Sequence, residues 1–113
     1  MFAFKVAPAL ICGNTVVLKS SEKSPLSSLK LAELIKEAGF PPGVFNVVNG
    51  FGKCSAMALH RKIRKISFTC SVATGKEILR MAADSILKNV SLELGGKSPA
   101  VIFEDAAIAG AAR

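Results

Sequence analysis

Thr15-Val16-Val17-Leu18-Lys19 is a short β-branched run, bounded in front by Gly13-Asn14 and behind by a serine-rich turn, the pattern of a buried strand. A helix follows it. Ser24 is placed as N-cap with Pro25 at the first helical position, and Leu31, Leu34, Ile35 and Ala38 make an apolar stripe. Gly39 and then Pro41-Pro42 end that helix, and Val44-Phe45-Asn46-Val47-Val48 reads as the next strand. The pattern then repeats. Residues 53–60 read as a short helix, Lys65-Ile66-Ser67-Phe68-Thr69 as a third strand, and about residues 73–85 as a second long helix. Asn89-Val90-Ser91-Leu92-Glu93-Leu94 alternates as a strand does, Gly95-Gly96 turns the chain, and Ala100-Val101-Ile102-Phe103 is one more apolar run. Strands alternating with helices imply βαβ units, hence an α/β fold with a parallel sheet and flanking helices.

Composition fits this reading. The 113 residues are 50% hydrophobic and 20% charged, which excludes a disordered chain and leaves room for one small domain. Fifteen Lys and Arg against eight Asp and Glu give a net charge of +7, which favours anionic partners without choosing among them. The densest basic stretch, Arg61-Lys62-Ile63-Arg64-Lys65, has no interleaved aromatic and no helix-turn-helix or RNP-like pattern, so nucleic acid is not the expected partner. Cys12, Cys54 and Cys70 are odd in number and lack CxxC or metal spacing. They point to reduced thiols in an intracellular, cytoplasmic protein without a metal site. The apolar opening through Cys12 is interrupted by Lys5 and Pro8 and is not preceded by a basic segment, so it reads as a buried helix, not a signal peptide. No stretch approaches the roughly 20 apolar residues of a membrane span, so no membrane partner is expected.

In a parallel α/β sheet, ligands bind beyond the carboxyl ends of the strands, so the loops after Lys19, Val48, Thr69 and Leu94 carry the candidate chemistry. Lys19 and Glu22 flank one strand end, where they can bind ribose hydroxyls or serve only as solvated loop charges. Gly50-Phe51-Gly52-Lys53-Cys54-Ser55 starts like GxGxxG but has serine at the third glycine, so it is either a degenerate dinucleotide loop or simply a strand-to-helix turn. Cys70-Ser71-Val72-Ala73-Thr74-Gly75-Lys76 opens a helix whose hydroxyl and free amides can hold a diphosphate, unless Thr69 or Ser71 is only an N-cap. Glu93 faces away from Val90, Leu92 and Leu94. It is either a surface residue or a carboxylate suited to general-base work.

Ala7-Pro8-Ala9-Leu10, Gly13-Asn14-Thr15-Val16-Val17-Leu18-Lys19, Glu37-Ala38-Gly39-Phe40-Pro41-Pro42-Gly43-Val44 and Leu92-Glu93-Leu94-Gly95-Gly96-Lys97-Ser98-Pro99 together resemble the aldehyde dehydrogenase superfamily, in its order and spacing. The resemblance runs over essentially the whole chain. It implies a partial Rossmann-like cofactor domain over residues 1–113, with NAD or NADP as cofactor. By the same resemblance Lys19 and Glu22 would bind the adenosine ribose, Gly50 would head the cofactor loop, Ser71 would contact the diphosphate, and Glu93 would be the base that activates the deacylating water. In that family a cysteine thiolate attacks the aldehyde, hydride passes to the nicotinamide, and water releases the acid.

Departures from the family pattern qualify what the resemblance implies. The family's nucleophilic cysteine falls beyond Arg113, its oxyanion-stabilising asparagine before Met1, and its oligomerisation strands outside the chain. Cys70 stands for the glycine of the family's FTGS motif, Ser20 stands for a proline, and the segment from Gly52 to His60 is two residues short. Ser20 is accordingly expected to loosen the ribose loop. The expectation is a truncated dehydrogenase-like chain with a partial NAD site and no activity alone. The alternative is a non-catalytic module docking on a full-length aldehyde dehydrogenase subunit.

Overall fold

The computed structural model describes residues 2–51 and 54–107. Its elements alternate as expected: α1 (Phe2–Ile11), β1 (Val16–Lys19), α2 (Pro25–Glu37), β2 (Phe45–Val48), α3 (Ser55–Leu59), β3 (Lys65–Thr69), α4 (Val72–Ser85) and β4 (Asn89–Glu93). β1 pairs in parallel with β2, from Val16 opposite Phe45 to Lys19 opposite Val48. β3 pairs in parallel with β4, from Lys65 opposite Asn89 to Thr69 opposite Glu93. These are two βαβ units, each a two-stranded parallel sheet crossed by its own helix, α2 or α4.

The helix ends follow from local chemistry. Pro25, with φ already fixed, starts α2, although the Ser24 side chain makes no cap bond. Gly39 ends it at φ +86: its N–H bonds Lys36 O at 3.0 Å, and that of Phe40 reaches back to Ile35 O at 3.4 Å, a Schellman closure. α4 buries Gly75, Ile78 and Ala82, one stripe at helical spacing. A Cβ on Gly75 would lie 2.8 Å from Leu94 Cδ2 and 3.2 Å from Leu92 Cδ1, so the missing side chain is what lets α4 lie this close to β4. At the far end Ser85 Oγ donates to Leu59 O (3.0 Å) and the buried Lys88 Nζ donates to His60 O (2.8 Å), tying α3 to the end of α4.

One expectation is corrected. The opening segment is a helix, but only Val6 is buried, while Phe4 and Ile11 are more than four-fifths exposed. Among the described residues one face of α1 has a neighbour, with the Phe2 ring edge-on to Phe45 at 5.8 Å. Residues 100–103 form no strand, and Val101, Ile102 and Phe103 are exposed; an apolar run becomes a strand only where a partner strand satisfies its backbone. The short helix begins at Ser55; Lys53 lies outside the described residues.

The molecule is open. Its accessible surface is 8791 Å², against about 5,900 Å² for a compact monomer of this mass, and its radius of gyration is 18.2 Å, against about 13 Å for this length. Among the described residues Ile78 is the one large side chain that is fully buried. Ile78→Ala is therefore expected to lower the unfolding free energy by about 2 kcal/mol, the low end of the usual cost because an open surround collapses easily. Urea unfolding followed by circular dichroism measures it; an unchanged midpoint would show that the α4–β4 contact does not support the fold.

Candidate active site

The carboxyl ends of β1 and β3 line one side of a cleft of about 980 Å³, whose walls include Lys5, Lys19, Glu22, Phe51, Cys54 and Thr69. Lys19 is the last residue of β1, half-buried, with Nζ 3.4 Å from Ser20 O. Glu22 follows in the exposed turn. Among the described residues the ion pair is Lys30–Glu33 at 2.8 Å, so Lys19 and Glu22 are not bound to one another and both face the cleft.

Ser20 behaves differently from expectation. It is buried, its hydroxyl donates to Asn49 Oδ1, and its N–H bonds Val48 O at 3.3 Å. The serine ties the end of β1 to the end of β2, where loosening was expected. A proline there would have neither the N–H nor the hydroxyl to do so.

Gly50 lies at a bend after β2 with φ +146, a conformation that side-chain-bearing residues rarely adopt. It is exposed and does not line the cleft; its partner glycine, Gly52, lies outside the described residues. Ser71 caps α4: its Oγ accepts from Thr74 N at 3.3 Å and lies 3.1 Å from Thr74 Oγ1. Of the two readings open for this hydroxyl, the cap is the one its own hydrogen bonds satisfy. Ser71 too stands outside the cleft lining.

Glu93 is the final residue of β4, and the alternation of exposed Asn89, Ser91 and Glu93 with half-buried Val90 and Leu92 places it on the face expected. Its carbonyl accepts from Cys70 N at 3.0 Å, which joins the β3 and β4 ends. Into this junction comes Lys5 from α1, whose Nζ donates to Thr69 Oγ1 at 2.7 Å. Burial pushes the Lys5 pKa down, while the nearby Glu93 carboxylate and Cys70 thiol pull it back up. The Cys70 thiol is itself raised, first by burial and further by Cys54, with Lys5 acting against both. Lys5, Thr69, Cys70 and Glu93 thus form one electrostatic cluster built from three elements. The sequence singled out Glu93 but passed over Lys5, which was read only as a break in an apolar stretch. A lone lysine among apolar residues of a helix was the available signal, because such a charge needs a partner when the helix packs.

The model of the aldehyde dehydrogenase family matches residues 1–113. The chain belongs to the aldehyde dehydrogenase family. It is 57% identical over 110 residues to an aldehyde dehydrogenase of Davidiella tassiana, covering 96% of this chain and 22% of that protein. It is 59% identical over 108 residues to retinal dehydrogenase 2 of Taeniopygia guttata, covering 94% and 21%. Among solved structures, gamma-glutamyl-gamma-aminobutyraldehyde dehydrogenase of Burkholderia cenocepacia superposes with a TM-score of 0.83 at 57% identity, over 86% of this chain and 20% of that one. An indole-3-acetaldehyde dehydrogenase of Pseudomonas syringae in complex with NAD+ superposes at 0.84 with 48% identity, over 88% and 20%. The chain spans about a fifth of the length of the curated relatives it matches. The fold is thus the Rossmann-like α/β architecture of these dehydrogenases, and among the described residues no helix is long and apolar enough to cross a membrane.

If capping is the main structural role of the Ser71 hydroxyl, Ser71→Ala costs about 1 kcal/mol and Ser71→Gly only a few tenths, because glycine is itself a tolerable N-cap. Thermal unfolding of both variants separates them; equal losses would argue against the cap as the dominant contribution.

Proposed function

We propose that this chain supplies the dinucleotide-holding side and the water-activating base of an NAD(P)-dependent aldehyde oxidation site. The carrying observation is the convergence at one cleft, beyond the carboxyl ends of parallel strands, of Lys19 and Glu22 on one unit with Lys5 and Thr69 on the other, Glu93 lying outside the lining but opposite Thr69 in the β3–β4 pair. Relatives of the same fold bound to NAD support this reading.

Lys19 at the end of β1 and Glu22 in the turn after it present a donor and an acceptor to one cleft, which suits the paired hydroxyls of the adenosine ribose. The α4 N-terminus with Ser71 offers backbone amides and a positive dipole end to the diphosphate. Gly50 lets the backbone approach without a side chain. When bound, the nicotinamide supplies the hydride acceptor. Glu93 is the general base that takes a proton from the deacylating water onto its carboxylate, and Lys5, fixed on Thr69, orients that carboxylate by charge. The donor set fits the dinucleotide in kind. Cys70 in place of glycine adds a side chain beside the α4 N-terminus, and that lowers the affinity expected.

NAD is expected to bind this 113-residue chain with a Kd on the order of millimolar, or roughly 4 kcal/mol. Lys19→Ala and Glu22→Ala should each weaken it severalfold, and Cys12→Ser should leave it unchanged. Ligand-observed NMR reads all four proteins; no binding to a folded sample at saturating NAD would sink the proposal. The 113-residue polypeptide is also expected to bind without oxidising aldehyde, because none of its three cysteines occupies the position of the family's nucleophile. NADH production that Glu93→Gln abolishes would overturn that expectation.

A further inference from the structure

Ser20 is the first residue after β1, and each of its polar groups is engaged within the chain. Its N–H bonds Val48 O at 3.3 Å, which carries the β1–β2 ladder one step past the last register pair, Lys19 opposite Val48. Its hydroxyl donates to Asn49 Oδ1, and its carbonyl accepts from the Lys19 ammonium at 3.4 Å. The residue is buried, on the wall of the cleft. A turn begins immediately behind it: Ser21 O accepts from Ser24 N at 3.2 Å and Ser21 Oγ from Lys23 N at 3.2 Å, and Glu22 is the residue of that turn in the cleft lining. Lys19 on one side and Glu22 on the other are thus placed relative to one anchored residue. We infer that Ser20, held by Asn49, is a positioning residue for ribose recognition: it fixes Lys19 and Glu22 relative to one another, and so sets the affinity for two adjacent ribose hydroxyls, without itself bonding the ligand. The inference rests on the dinucleotide reading above.

Both ribose-facing groups are mobile by nature. Lysine carries its ammonium on a long flexible stem, and Glu22 stands in an exposed turn, so gripping two adjacent hydroxyls costs the entropy of ordering both. An anchor between them lowers that cost before the ligand arrives. The backbone bond from Ser20 N to Val48 O would by itself leave the strand end free to pivot about one contact; the second bond, from the hydroxyl to the residue after β2, removes the pivot. Because the hydroxyl is already engaged by Asn49, its loss is felt through Lys19 and Glu22 and not as a missing ligand contact. The signature of such a residue is selective: recognition of the ribose hydroxyls weakens, while recognition of base and phosphate does not.

The test compares AMP with dideoxy-AMP, which lacks both ribose hydroxyls, by ligand-observed NMR on samples shown to be folded by circular dichroism. The proteins are the unaltered chain, Ser20→Ala, Asn49→Ala and the double variant. AMP affinity is expected to fall about fivefold in each single variant, the effect of losing one ordinary hydrogen bond, with dideoxy-AMP bound alike by all four. The double variant should bind AMP no more weakly than either single one, because the two side chains share one bond. Asn49 is exposed beyond β2, so Asn49→Ala carries the test where Ser20→Ala does not fold. Equal loss of both ligands, or additive losses in the double variant, would reveal a general loosening and overturn the assignment. AMP binding that the single variants leave intact would overturn it while the dinucleotide reading stands, and absence of AMP binding by the folded unaltered chain would overturn both.

Discussion

Parallel pairing obliges the chain to return across the sheet between one strand and the next, and in the β3–α4–β4 unit that return is made at a distance set by Gly75. The consequences extend to the site. With α4 held against Leu92 and Leu94, β4 lies in register with β3 from Asn89 to Glu93, and Glu93 arrives opposite Thr69. Thr69 is also the acceptor for Lys5, so the register of one strand pair decides how near Glu93 comes to the ammonium. The β1–α2–β2 unit is built alike, with Ser20 and Asn49 fastening the strand ends from which Lys19 and Glu22 project.

Legibility in the sequence divided along a physical line. Elements written in local chemistry were readable: Pro25 and Gly39 bracket α2 because proline and a positive-φ glycine act within a turn, and the alternation of β4 is a property of the strand itself. Features that depend on what lies opposite were not. Among the described residues Val101-Ile102-Phe103 is an apolar run with no strand beside it, and α1 has helix composition while Phe4 and Ile11 on its outer face stay exposed. The same holds at the site. The exposed place of Glu93 at the end of β4 was legible in the alternation of its strand, whereas the partnership of Lys5 with Thr69 joins residues whose proximity no local pattern encodes. Ser20 shows the reverse error, since a departure from the family's proline suggested loss and the structure turns it into a tie.

The large exposed surface follows from the same architecture. Each two-stranded sheet has one crossing helix, and neither unit alone encloses a core, so large apolar side chains such as Phe51, Leu87 and Phe103 stay accessible. Relatives of which this chain matches about a fifth have much more polypeptide with which to cover equivalent surfaces. Burial among the described residues is therefore concentrated where α4 meets its strand and α3, and that is also the unit that positions the ends of β3 and β4.

The bond from Lys5 to Thr69 spans 64 positions, far more than the separation closed by either crossover helix. During synthesis from the amino end, the first βαβ unit can form once Val48 has emerged, and the second requires the chain through Glu93. Lys5 therefore waits, its ammonium hydrated, through the whole assembly of the first unit before its acceptor exists. Ordering of the Lys5–Thr69 corner is a late event on the ribosome, and the first unit must stay soluble in the interval with its helix α1 not yet anchored at that corner.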